Sequence, residues 1–201
     1  MVIDIINKIV TNILTAVYQP FTYSLLLAIL FMFFCLYVSE HGGDVEGLKA
    51  ISLKWWTTFK SSSTFRRTFL LAFYTTMILF RTLLNRNLWL NPLSDVMGGW
   101  TLHNAKGELS TEPIENLVLF IPFSILLLWA IKDKVLKNRK LMTMLWQSTK
   151  IVFLFSLAIE FLQLFLRLGT FQLSDLFYNT FGGFIGGLIY WIGWKADSKF
   201  R

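Results

Sequence analysis

Two carboxylates and two amides stand inside apolar sequence near the end of this chain, and their spacing gathers them. Glu160, Gln163 and Arg167 recur at i, i+3 and i+7, which at about 100° per residue places them on one helical face about 60° wide. Asp175, Asn179, Gly182 and Gly186 recur at i, i+4, i+7 and i+11, a second stripe. A charge at the centre of a lipid-embedded helix costs about 2.5–3.5 kcal/mol on insertion scales, so such groups are expected to face partners, water or substrate. A carboxylate withdrawn from water can serve as a general acid or base, and a second can orient water or a nucleophile. Glu160 and Asp175 are therefore the candidate catalytic pair. Amides both donate and accept, while guanidiniums grip phosphate through a planar fork. Arg81, Glu115, Asn116, Gln163, Arg167 and Asn179 are accordingly the candidate ligand-binding residues.

These groups need an apolar frame. Of 201 residues, 55% are hydrophobic and only 15% charged, with 20 Phe and 8 Trp. That balance excludes an ordinary soluble domain and points to an integral membrane protein. The net charge of +7 calls for no nucleic acid, because the cationic residues concentrate in particular loops. Cys35 is the single cysteine and lies in an apolar run, so a packing role is expected and an intrachain disulfide is excluded. His41 and His103 are the only histidines, so no zinc or other metal site is expected, and no cofactor is implied. The start, Met-Val-Ile-Asp, lacks the basic stretch that opens a secretory signal, and none is expected.

The expected fold class is all-α: an integral membrane helical bundle of about five transmembrane helices plus amphipathic interfacial helices. Five segments approach the roughly 20 apolar residues a span requires, at about 21–38, 68–84, 114–131, 151–166 and 173–194. The fourth is short and needs tilt, bilayer thinning or extension into its flanks. Fourteen of the 19 cationic residues fall between spans one and two, between spans three and four, or in the tail. Lys8, Arg81, Arg86, Lys106 and Arg167 occupy the other side. The positive-inside rule then expects the N-terminus outside and the C-terminus in the cytoplasm.

Residues 2–17 and 45–60 read as amphipathic helices. The first sets Ile5, Ile6, Ile9, Ile13 and Val17 against Asp4, Lys8, Thr11 and Thr15, and Gln19-Pro20 suggests a break before the first span. The second sets Ile51, Trp55 and Phe59 against Lys49, Lys54 and Lys60. Membrane anchoring is the expected role of both. The organisation is thus 1–67, an N-terminal amphipathic segment, first span and cytoplasmic interfacial helix; 68–194, a four-helix membrane domain with an external loop at 85–115; and 195–201, a cytoplasmic tail. Arg81 ends the second span, Glu115 and Asn116 open the third, and Arg167 and Asp175 flank the turn between the last two. Four helices therefore deliver polar groups to one level, with Glu160 about 10 Å deeper than Arg167.

Each member also has a plainer structural role open to it. Glu160 can form an inert ion pair with Arg81. Arg167 and Asp175 can be interfacial charges, and Gln163 and Asn179 interhelical hydrogen-bond glue. Gly182, Gly183, Gly186 and Gly187 form small-xxx-small pairs that serve helix packing. Pro122 removes a backbone donor and is expected to kink the third span near Val118.

The series Asn116-Leu-Val-Leu-Phe-Ile-Pro122-Phe, Glu160-x-x-Gln163 and Asp175-x-x-x-Asn179-Thr180-x-Gly182, with Gly186, resembles the VanZ-like family of bacterial membrane proteins over roughly residues 68–190. Ser124 stands where many relatives have Gly, Gln172 stands near an acidic position of the turn, and Arg167 is displaced toward the fourth span. The resemblance implies a plasma-membrane protein that protects the cell envelope from teicoplanin and related lipoglycopeptides. Membrane lipids, a lipid-linked cell-wall precursor or the drug itself are the implied partners. Three mechanisms stay open: an enzyme acting at a phosphate or glycosidic centre, a non-catalytic binding or shielding protein, and a lipid transporter. No Ser-His or Cys-His arrangement accompanies the carboxylates.

Overall fold

The computed structural model describes residues 2–39, 47–86, 88–101, 110–131 and 140–199. His41, His103, Lys106, Lys132, Lys134, Lys137, Arg139 and Arg201 lie outside the described residues. The described chain forms seven α-helices and no strand: α1 Val2–Tyr18, α2 Phe21–Ser39, α3 Gly47–Ser61, α4 Ser63–Leu79, α5 Glu112–Ile131, α6 Leu141–Leu166 and α7 Leu173–Lys199. A π-helical turn, Phe80–Leu84, prolongs α4. Helices are the form in which a chain satisfies its own backbone groups inside hydrocarbon.

Four helical stretches are long and apolar enough to cross a membrane: Phe21–Ser39, Ser63–Leu84, Glu112–Ile131 and Leu141–Leu166. The fourth gains its length by extension into its N-terminal flank: it begins at Leu141 and runs 26 residues, taking in the exposed Lys150. The fifth expected span, α7, is 27 residues long but is not among the four, since glycines, Asn179 and aromatic rings dilute its apolar character. It nevertheless runs beside both α5 and α6 along its length.

The glycines of α7 explain how. A Cβ on Gly182 would stand 2.3 Å from the Leu117 carbonyl oxygen, and one on Gly186 2.5 Å from that of Ile121, so this pair admits the backbone of α5. Gly183 and Gly187 turn the other way, toward the side chains of Val152 and Ser148 on α6. α7 is therefore clasped on two faces. Close packing of this kind drives association where lipid is as apolar as the side chains. Ser124 sits beside Gly186 and donates to the Gly183 carbonyl at 2.8 Å. Ile78, Phe120, Phe123, Leu127, Val152 and Ile159 fill the centre of α4, α5 and α6. Leu128 and Met144 pack with Tyr190, Trp191 and Trp194 at the far end. Pro122 lies within a helix that stays unbroken across it.

α2 buries only Ser24, Ala28 and Met32, one stripe that meets α4, and turns Leu26, Leu27, Leu30, Phe31 and Phe34 outward. In a membrane those exposed apolar residues meet acyl chains. α3 lodges Trp55 among Phe33, Phe59, Phe65 and Phe69. Gly182→Ala should lower the stability of the purified protein by about 1–3 kcal/mol, because a backbone cannot yield as a side chain tip can. Gly193→Ala, with open space at that position, should change nothing. Thermal unfolding followed by tryptophan fluorescence tests the pair.

Candidate functional site

One end of the bundle gathers the start of α2, the end of α4 with its π turn, the start of α5, the end of α6 and the start of α7. A cavity of about 650 Å³ opens there, lined by residues that include Asn12, Thr15, Gln19, Arg81, Asn85, Arg86, Ser94, Asp95, Glu112, Glu115, Asn116, Thr170, Gln172 and Asp175. Four carboxylates and two guanidiniums thus face one space.

Glu115 is the best-held of them. Its Oε2 accepts from Arg81 Nη2 at 2.6 Å, and its Oε1 accepts from Asn12 Nδ2 at 2.7 Å and from the Thr111 hydroxyl. The carboxylate joins α1, the π turn and the approach to α5 at a buried point. The π turn carries Arg81 and is closed by the Asn85 amide, which donates to the Phe80 carbonyl at 2.9 Å. Gln163 Nε2 donates to the Thr82 carbonyl of that turn at 2.8 Å, supplying a partner that the irregular helix end lacks.

Glu160 takes a partner other than the Arg81 that the sequence left open to it. It is 2% exposed, and its Oε2 accepts the backbone N–H of Gln172 at 2.8 Å, while Arg81 belongs to Glu115. The Glu160–Arg81 ion pair does not form. Glu160 does not line the cavity, although the charges of Asp175 and Arg86 act on it from above. It anchors the α6–α7 turn. That turn leaves α6 through Arg167 in the left-handed region at φ 56, with the Leu168 amide donating back to the Gln163 carbonyl at 2.9 Å.

Asp175 does line the cavity, with the Asn116 side chain in hydrogen-bonding range and the charges of Glu112, Arg86 and Asp95 acting on it. Arg167 is exposed and does not line the cavity; Arg86, also exposed, supplies the second guanidinium instead. Asn179 is buried and donates to Ser156 on α6 at 2.9 Å, and Gln163 is buried on the π turn, so both are interhelical ties rather than lining. Among the expected ligand-binding residues, Arg81, Glu115 and Asn116 reach the space; Gln163, Arg167 and Asn179 do not.

A cover closes the far side. The Trp89 amide donates to the Arg167 carbonyl, the Phe171 amide to that of Pro92 and the Leu173 amide to that of Val96, at 2.7, 2.9 and 2.9 Å. Asp95 accepts from the Gly98 amide and from Gln172 Nε2, each at 3.2 Å. Gly98 sits at φ 70, where a Cβ would collide with the Ser174 hydroxyl. Tyr178 donates to the Trp100 carbonyl at 2.9 Å.

The polar face of α1 forms the remaining wall. Asn12, Thr15 and Gln19 turn inward, while Ile3, Ile6, Val10, Leu14 and Val17 are exposed. Anchoring was the role expected of this helix; it is also part of the site. Asn12, Arg86, Asp95 and Glu112 escaped the sequence reading as lining residues. Asn12 sat in a plain amphipathic pattern, and the others in a segment with no apolar period. No group of three or more His, Cys, Asp or Glu residues able to hold a metal ion occurs among the described residues. Removing one member of the buried pair should hurt more than removing both. Arg81→Gln strands the Glu115 carboxylate and should cost about 3–5 kcal/mol, less whatever water reaches the half-buried arginine. Arg81→Met with Glu115→Leu should cost less, as chemical denaturation of the two proteins in detergent would show.

No curated protein and no solved structure matches the chain. A family model does, and more widely than the sequence motifs had suggested. It covers residues 20–194, so α2, the cationic α3 and the whole bundle fall within it, and α1 alone among the helices precedes it. Its description is VanZ/LLP1, and at the level of the family that domain is linked to glycopeptide resistance. The chain belongs to the VanZ/LLP1 family of membrane proteins.

Proposed function

We propose that this protein guards a bacterial cell envelope against lipoglycopeptides of the teicoplanin type by binding the phosphate-bearing headgroup of a lipid at the outer leaflet of the plasma membrane. The single observation behind this is the cavity of about 650 Å³ at one end of an apolar bundle, where four carboxylates, two guanidiniums and several amides line the space beside Ala16, Pro20, Phe80 and Trp89. Its volume suits a headgroup, and acyl chains would lie along the exposed apolar surfaces of α1 and α2. Arg86 has no hydrogen-bond partner among the described residues and is the group best placed to take a phosphate. Asn116, Gln172 and Asp175 would hold hydroxyl or amide groups of the same ligand.

Placement at the outer leaflet follows from charge. Lys49, Lys54, Lys60, Arg66 and Arg67 cluster on α3 and the start of α4, and Lys140, Lys150 and Lys195 attend the same end, away from the cavity. The positive-inside rule puts that end in the cytoplasm. Lipoglycopeptides combine a lipid tail with a face that binds cell-wall precursor, so an occupant of this cavity would lie at the depth where they act. The lining holds no histidine, cysteine or lysine, and occupancy rather than chemistry is the mechanism we favour.

In a susceptible bacterium with matched membrane levels, Arg86→Gln and Asp175→Asn should each cut the protection against teicoplanin by about tenfold, the worth of one charged hydrogen bond. Glu160→Gln should cut it less, because the amide oxygen still accepts from the Gln172 N–H. Full protection in both cavity variants would sink the headgroup reading. Fluorescent teicoplanin on intact cells and mass spectrometry of their lipids separate the mechanisms. We expect less surface drug with an unchanged lipid profile, whereas a new modified lipid would make the protein an enzyme.

A further inference from the structure

The occupant's chemistry can be narrowed by the charges that line the cavity, and this step rests on the headgroup reading above. Asp95, Glu112, Glu115 and Asp175 face the space against Arg81 and Arg86. One pair cancels internally, since Arg81 binds Glu115 at 2.6 Å and Asn12 and Thr111 occupy that carboxylate's other oxygen. What remains for a ligand is one guanidinium and three carboxylates. Glu112 and Asp175 lie close enough for their like charges to act on one another, and Asp95 adds a third negative charge from the cover. Arg86 is the cation that acts on Asp175 from the same space.

A purely anionic headgroup would satisfy Arg86 and meet repulsion from every other charged wall. A purely cationic one would satisfy the carboxylates and leave Arg86 opposed. Like charges gathered in a partly desolvated space are held most favourably when a cation lies between them. We infer that the cavity takes a headgroup carrying both a phosphate ester and a primary ammonium, with the phosphate on Arg86 and the ammonium between Glu112, Asp175 and Asp95. An ammonium has three donors and no acceptor, so three carboxylates around it match its hydrogen-bonding capacity. The neutral lining groups Asn116 and Gln172 can serve the linking atoms. Two sources offer this pairing: an ethanolamine-type phospholipid, and a lipid-linked cell-wall precursor whose peptide bears a free amine.

The test is native mass spectrometry of the full chain in detergent, reading the fraction of protein that retains an added lipid. The probes are phosphatidylethanolamine, its N-acetylated form, phosphatidylglycerol, and a polyprenyl diphosphate-linked muropeptide with its side-chain amine free or acetylated. We expect each free amine to be retained about tenfold better than its acetylated form in at least one of the two series, the worth of a charge-assisted hydrogen bond. The series in which it happens identifies the source. Glu112→Gln, at an exposed residue in the first turn of α5, should bring that ratio close to one, whereas Arg86→Gln should weaken every phosphate-bearing probe alike. Equal retention of free and acetylated amines in both series, with Arg86→Gln still weakening all of them, would overturn the ammonium assignment and leave the headgroup reading standing. No retained probe, or retention indifferent to Arg86→Gln, would overturn both.

Discussion

A carboxylate at the end of a membrane bundle holds the site together. Glu115 sits at 7% exposure where water is scarce, and an ionised group there must find donors or be lost to desolvation. It finds three: an arginine from the π turn, an amide from α1 and a hydroxyl from the residue just before α5. Each donor arrives from a different part of the chain. The one acid therefore fixes where α1 lies, how the π turn is rotated and where α5 begins, and the cavity is the space those three leave. The π turn carries Arg81 at its start, and Gln163 supports it from α6.

Beneath that node the packing follows from what is small. Gly182 and Gly186 bring α7 to the backbone of α5, and Gly183 and Gly187 bring it to Val152 and Ser148 of α6. These contacts set the height of α7, and with it the height of Asp175 at its first turn. Glu160 does the same for the turn above. By accepting the Gln172 amide it draws the α6–α7 connection down over the bundle, and the loop 88–101 is then tied to that connection by three backbone hydrogen bonds. The deepest acid thus shapes the cavity without entering it. The inert ion pair with Arg81 that the sequence left open does not form, because each has a nearer partner, one on the turn and one on α5.

Much of this was legible in the sequence, for reasons that can be named. Unbroken apolar runs can only be membrane helices, because hydrocarbon leaves no other place for backbone polar groups. Polar residues inside such runs are costly enough that they are expected to gather, and Arg81, Glu115, Asn116 and Asp175 line one cavity at one end of the bundle. The glycine pairs announced close approach. What the sequence hid was rotation. Arg167 lies only seven residues from Glu160 and on its stripe, yet it caps α6 in the left-handed region and is not part of the cavity lining. Asn179 shares a stripe with Asp175, yet it bonds Ser156 on a different neighbour.

The chain's own order of residues determined the helices, the membrane they suit and the level at which charge collects, since each of these follows from local periodicity and from the cost of burying a polar group. Which acid faces the cavity, which arginine answers it and whether an amphipathic helix is anchor or wall were decided only by tertiary structure. Those outcomes depend on how neighbouring helices turn about their axes. A rotation of one residue's worth, about 100°, is invisible in composition but separates a ligand from a strut.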